Sequence, residues 1–174
     1  MEKILFNYCD LKPKIHASVF LAPGVKIIGD VEIDEGSSIW FNAVIRGDVH
    51  FVKIGKYTNI QDCSMIHVTG VTNPVIIGDK VTIGHSVKLH GCSLQDLTLI
   101  GIGSVVLDGA VVEQQSIVAA GAVVTPKFVV PYGKLVAGVP AKVIRDLTKE
   151  EMEHFEISAN NYNKCALLTQ QSIK

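Results

Sequence analysis

The sequence predicts an all-β fold, a solenoid of stacked parallel coils, with a C-terminal α-helix packed against it. Three observations predict it. Aliphatic residues recur at every sixth position through most of the chain. Valine and isoleucine are abundant, while aromatics make up only 6% of the 174 residues, which favours strands. After residue 145 the period changes from six to that of a helix, behind a capping signal.

The elements follow in order. Steps of six from Ile15 reach Leu21, Ile27, Ile33, Ile39 and Ile45. Steps of six from Leu94 reach Ile100, Val106, Val112, Val118, Val124, Val130 and Val136. Shorter runs lie between them: Ile54, Ile60 and Ile66, then Ile77, Ile83 and Leu89. The fourth residue after an anchor is often small or branched, as at Ser37, Ala43, Thr58, Ser64, Val81 and Ser104. Glycine often follows the anchor itself, as in "IGDK", "IGHS" and "IGIG". No single coil can bury its own apolar face, so stacking must do it.

The frame breaks in three places. Residues 51–53 are three extra, residues 72–76 ("TNPVI") are five extra, and the Leu89 hexad is one short. Each break is expected to be a loop or a distorted corner, on a functional edge of the solenoid.

This pattern resembles the hexapeptide repeat of left-handed parallel β-helices. The resemblance implies a triangular prism, with anchors pointing inward and three hexads to a coil. Residues 1–145 then form the β-helix and residues 146–174 a helix that packs on it. Thr148 and Glu151 form the capping box, and Leu147 with Met152 a hydrophobic staple. Met152, Phe155, Ala159, Tyr162 and Ala166 fall on one face of that helix.

Bulk properties exclude several classes. The net charge of −1 argues against a nucleic-acid binder. No apolar run is long enough to span a membrane. The opening "MEKILFNYCDLKPK" lacks the apolar core of a signal peptide. The four cysteines are scattered without a C-x-x-C pair, the usage of a reduced, cytoplasmic protein.

The histidines carry the chemistry. If Ile66 and Leu89 lie on one prism face, His67 and His90 each follow their anchor by one residue. They then point outward from adjacent coils, about 4.8 Å apart in backbone. Counting back past the first insertion puts Arg46 in the same column. His85 lies two residues after Ile83 on a different face, one coil from Asp62 and beside Gln61. A single chain cannot easily converge both groups on one point. Neighbouring chains of a homotrimer can.

The stretches "AVIRGD", "NIQD", "MIHV" and "GHSVKLHG", in order and in frame, resemble the gamma-class carbonic anhydrases. The likeness runs across residues 15–145. It implies a divalent metal, Zn2+ or Fe2+, held by His67 and His90 of one chain and His85 of the next. It implies reversible hydration of carbon dioxide to bicarbonate by a metal-bound hydroxide. It makes Arg46 and Asp48 an interface salt link, and it gives Gln61 and Asp62 the task of positioning the bound water. Zinc with three neutral imidazoles keeps its full charge and an open position. One departure stands out. The loop "VTGVTNPV" has no acid to shuttle protons, and Val49 stands where the most active members carry a second acid. Proton export is therefore expected to be slow.

Two other functions remain open on the same scaffold. One is an acyltransferase using an acyl-CoA donor, which needs a single histidine base. The other is a non-catalytic assembly protein that keeps the metal for stability. His16, His50 and His154 read as solvated surface residues, Cys63 and Cys92 as packing at corners, and Tyr162 as a helix contact.

Overall fold

The structure is a computed structural model and describes residues 3–173. It is a left-handed β-helix of parallel coils with one C-terminal helix. Each prism face is a ladder of parallel strands joined in register. The first face stacks Ile27, Ile45, Ile66, Leu89, Val106 and Val124. The second stacks Ile15, Ile33, Ile54, Ile77, Leu94, Val112 and Val130. The third stacks Leu21, Ile39, Ile60, Ile83, Ile100, Val118 and Val136.

From Ile27 onward every anchor is at most 2% exposed, so the interior is one continuous aliphatic column. Ile15 and Leu21 are only partly covered, because they belong to the first coil.

The corners explain the small residues. Three places after the anchor, most hexads turn through a left-handed backbone. Gly24, Gly36, Gly103, Gly109, Gly121 and Gly133 do so, and so do Asn42, Tyr57, Cys63, Lys80, Ser86, Leu97, Gln115 and Lys127. The next residue is in most hexads small or short and branched, and it is buried at the corner at Val25, Ser37, Ala43, Thr58, Ser64, Val81, Val87, Ser104, Ala110 and Ala122. Its hydroxyl, when present, bonds across coils. Ser37 donates to Gly55 O (2.7 Å), Thr58 to Gly78 O (2.8 Å) and Ser64 to Gly84 O (2.9 Å). The same oxygens accept from Thr58 N, Val81 N and Val87 N, so these buried hydroxyls are satisfied.

The solenoid closes with strand Lys142–Asp146, which turns back antiparallel on Lys134–Ala137 and covers the open edge of the third face. Helix α1, Lys149–Ser172, then runs back down that face. Its capping box is the one the sequence predicts, with Thr148 and Glu151 satisfying each other's backbone N–H. Phe155, Ala159 and Ala166 are buried, while Met152 and Tyr162 are half-buried at the margins. Side chains pin the helix in passing. Ser158 bonds Thr82 (3.0 Å), and Asn163 donates to Gly36 O (3.0 Å). The Tyr162 ring meets Trp40 edge-on at 5.7 Å.

Two variants test the helix start. Thr148→Ala is expected to cost about 1 kcal/mol in urea unfolding, the usual value of a lost N-cap. The Arg145 guanidinium, bonded to Glu151, holds its carboxyl down at about 2. A lowered carboxyl stabilises the fold above its unfolded pKa of about 4.5 and loses that contribution as pH falls toward 2. Glu151→Gln should therefore lower the melting temperature at pH 7 and leave it unchanged below pH of about 2.

Candidate metal centre

All three breaks in the hexad frame fall on one prism edge, between the first and second faces. Strand Val44–Ile54 starts the pattern. Its register with the coil below holds to Gly29–Gly47 and resumes at Val31–Val52, so residues 48–51 bulge opposite Asp30 alone. The sequence frame put the extra residues at 51–53. The structure moves the insertion earlier because Val52 and Ile54 are buried and stay in the ladder. Gly47 permits the bulge, since a Cβ there would lie 2.4 Å from Asp30 O.

The second insertion also shifts. Val75 and Ile76 pair with Val52 and Lys53, leaving a loop pinched by an antiparallel bridge between Thr69 and Asn73. In the third break, the short Leu89 hexad turns at Gly91 with φ +55.

Beside that edge, cross-coil register places Arg46, His67 and His90 in one outward column. The bulge folds Asp48 back under it. Asp48 forms an ion pair with Arg46 within the same chain. Its other oxygen lies 3.1 Å from His67 Nε2. Burial pushes the Asp48 carboxyl up, but hydrogen bonds from His67 and Arg46 and the Arg46 charge outweigh it and hold the group below its usual range. An ionised carboxylate only accepts, so His67 Nε2 is the N–H and Nδ1 carries the lone pair. The next coil mirrors this. His90 Nδ1 lies 2.6 Å from Asp108 Oδ1, leaving Nε2 bare in the neutral ring. Burial raises the Asp108 carboxyl as well, and hydrogen bonds from His90 and Thr69 outweigh it and lower it.

The two bare nitrogens face each other. His67 Nδ1 and His90 Nε2 stand 3.2 Å apart. Two lone pairs at that distance repel unless a proton or a metal cation sits between them. Nitrogens in a tetrahedral site with bonds of about 2.0–2.1 Å stand roughly 3.3 Å apart, so the pair fits one edge of a metal site.

His85 lies elsewhere, at the corner between the third and first faces. Its Nδ1 is 2.7 Å from Asp62 Oδ2, one coil below, so its Nε2 is also free to ligate. Among the described residues of one chain, no three histidines, cysteines or carboxylates converge as a metal cluster. Gln61 is 4% exposed and donates to Asn59 Oδ1 at 3.0 Å. It also bonds Tyr162 on α1, whose hydroxyl burial pushes up, together with nearby Cys165 and Asp62. The sequence reading missed Thr69, Asp108 and Asn59. Asp108 does carry a signal: it stands two residues after an anchor, as Asp62 does, in the coil above His90.

Comparison with known proteins follows this geometry. The bacterial transferase hexapeptide (six repeats) family matches residues 12–47. Carbonic anhydrase of Geobacillus kaustophilus is 46% identical, over 91% of this chain and 87% of its own. The chain belongs to the gamma-class carbonic anhydrase-like family. Gamma carbonic anhydrase 1 of Arabidopsis thaliana, a mitochondrial protein, is 47% identical over 95% of this chain. The chain spans only 62% of that relative's length. A hexapeptide transferase family protein from Anaplasma phagocytophilum superposes with a TM-score of 0.91 at 41% identity, over 95% of this chain and 98% of its own.

Proposed function

We propose that the protein is a carbonic anhydrase-type lyase that interconverts carbon dioxide and bicarbonate at metal centres shared between subunits of a homotrimer. His67 and His90 of one subunit and His85 of the next would hold zinc or iron(II), since imidazole suits both. The facing lone pairs of His67 and His90 carry this reading. The paired carboxylates, Asp48, Asp62 and Asp108, support it, because each orients one ring for ligation. The separation of His85 from the His67–His90 pair and the exposed apolar Met65 and Ile102 favour a subunit boundary there.

A divalent metal bound there would supply a Lewis acid that makes water nucleophilic at neutral pH. The chain's own groups set the geometry. Asp48 and Asp108 fix the tautomers of His67 and His90, and Asp62 that of His85. Arg46 compensates the Asp48 charge. Gln61, next to Asp62 in the chain, is held by Asn59 and Tyr162. None of the residues of the 68–76 loop titrates near neutrality, and Asp48 and Asp108 are both held below the usual carboxylate range. Proton export therefore falls to the buffer. The four cysteines are all free, which supports a reducing, cytoplasmic setting.

The transferase name of the Anaplasma relative keeps the acyl-CoA reading in play. That chemistry needs one histidine base and leaves the second of the two facing rings without a task.

His85→Ala should strip metal from the purified trimer, measured by elemental analysis, because every shared site loses a ligand. Retention of full metal content would refute the two-chain ligand set. Carbon dioxide hydration by the zinc-loaded enzyme should be slow in dilute buffer and rise with imidazole concentration at fixed pH, followed by stopped flow. A rate that is zero at every buffer concentration would hand the function to the acyltransferase or the non-catalytic binding reading.

A further inference from the structure

Asp108 belongs to neither the His67 nor the His90 coil. It rises from the coil above, two residues after Val106, which stacks on Leu89. It reaches the His90 ring because Gly91 has no side chain: a Cβ there would lie 2.5 Å from Asp108 Oδ1. Its second oxygen accepts from the Thr69 hydroxyl at 2.8 Å. Threonine has one hydroxyl proton, and it is spent on Asp108. The Thr69 oxygen therefore turns a lone pair toward His90 Nδ1, 3.3 Å away. The His90 N–H is shared between Asp108 and Thr69, and the ring is held from two sides.

Thr69 is also the first residue of the inserted loop. Its backbone exchanges two hydrogen bonds with Asn73, at 3.0 and 3.2 Å. Beyond that bridge the bonds are local to the tip, with Thr72 N–H donating to Gly70 O at 2.8 Å and the Asn73 side-chain amide to the Thr72 hydroxyl at 3.1 Å. Val71 is 92% exposed and sits at φ +68, a conformation unfavourable for a β-branched residue. The order of the loop rests on its base, and its base rests on Asp108 and the His90 ring.

We propose that Asp108 is a positioning residue for the metal centre, and that with Thr69 it ties the 69–73 loop to the His90 ring, so that metal binding and loop order are coupled. The inference rests on the metal-centre reading above. Coupling of this kind is reciprocal: metal that fixes the ring steadies the loop, and a loosened loop weakens the metal.

The test uses the full chain, stripped of metal and titrated with Zn2+ against a chromogenic competing chelator. Amide hydrogen exchange of residues 69–73 is followed with and without Zn2+. Asp108→Ala should weaken zinc binding roughly 10- to 100-fold, the usual cost of losing a carboxylate behind a ligating histidine. Asp108→Asn keeps an acceptor oxygen and should lose less. Thr69→Val should weaken zinc and speed exchange in the loaded loop, and Thr69→Ser should restore both. Far-UV circular dichroism reports whether each variant is folded, and Asp108→Asn stands in if the alanine variant is not. Wild-type zinc affinity in the folded Asp108 variants, or loop exchange indifferent to zinc, overturns the proposal while the loss of metal in His85→Ala leaves the metal centre standing. If His85→Ala and His90→Ala also bind zinc like the parent, the metal centre falls and the proposal falls with it.

Discussion

Parallel register between adjacent coils is the constraint on which the rest depends. Each coil donates its backbone N–H groups to the next, and a slip of one residue would turn every aliphatic anchor out of the prism. The buried column from Ile27 to Val136 penalises any such slip. Because register is fixed by the interior, the outward side chains inherit it. Arg46, His67 and His90 line up because Ile45, Ile66 and Leu89 do. Only the exterior of the column is free to carry chemistry, and the interior guarantees its spacing.

The solenoid also has to break somewhere to shape a site. A regular corner points its residues away from one another. The three irregular hexads lie on a single edge, and each contributes something a regular corner could not. The 48–51 bulge brings Asp48 back under His67. The 68–74 loop carries Thr69 to His90. The shortened turn at Gly91 clears a path for Asp108. The cost is local, since the buried residues on either side of each break remain paired.

Much of this was legible in the sequence, for a physical reason. A period of six reflects the prism directly, so the anchors, the outward column and the helix start could all be read by counting. The positions of the insertions could not. "HFVKI" offers apolar residues in more than one frame, and only pairing with the coils on both sides decides that Val52 stays and the bulge forms before it. Thr69 and Asp108 were illegible for another reason. Their contact spans 39 residues and depends on how a loop folds back over a coil edge. That Gln61 bonds Tyr162 was illegible too, because it depends on where α1 docks. A helix face can be predicted from its own sequence; what it covers cannot.

The regularity above the site has a consequence for how such chains can change length. From Leu94 to Val136 the coils repeat without a break, so residues one coil apart occupy equivalent places. Removing a segment of one full coil, such as 112–129, would join Val111 to Val130 on the same face, one coil lower. Asp108 and the coils beneath it would keep their register, while α1, which follows the deletion, would dock one coil lower on the third face. A deletion of any other size in that region would rotate the remaining chain around the prism. Length in this half of the molecule is therefore quantised, while the loop edge beside the histidines can absorb single residues. The two halves are open to different kinds of genetic change: whole-coil duplication and loss above, and point insertions around the metal centre.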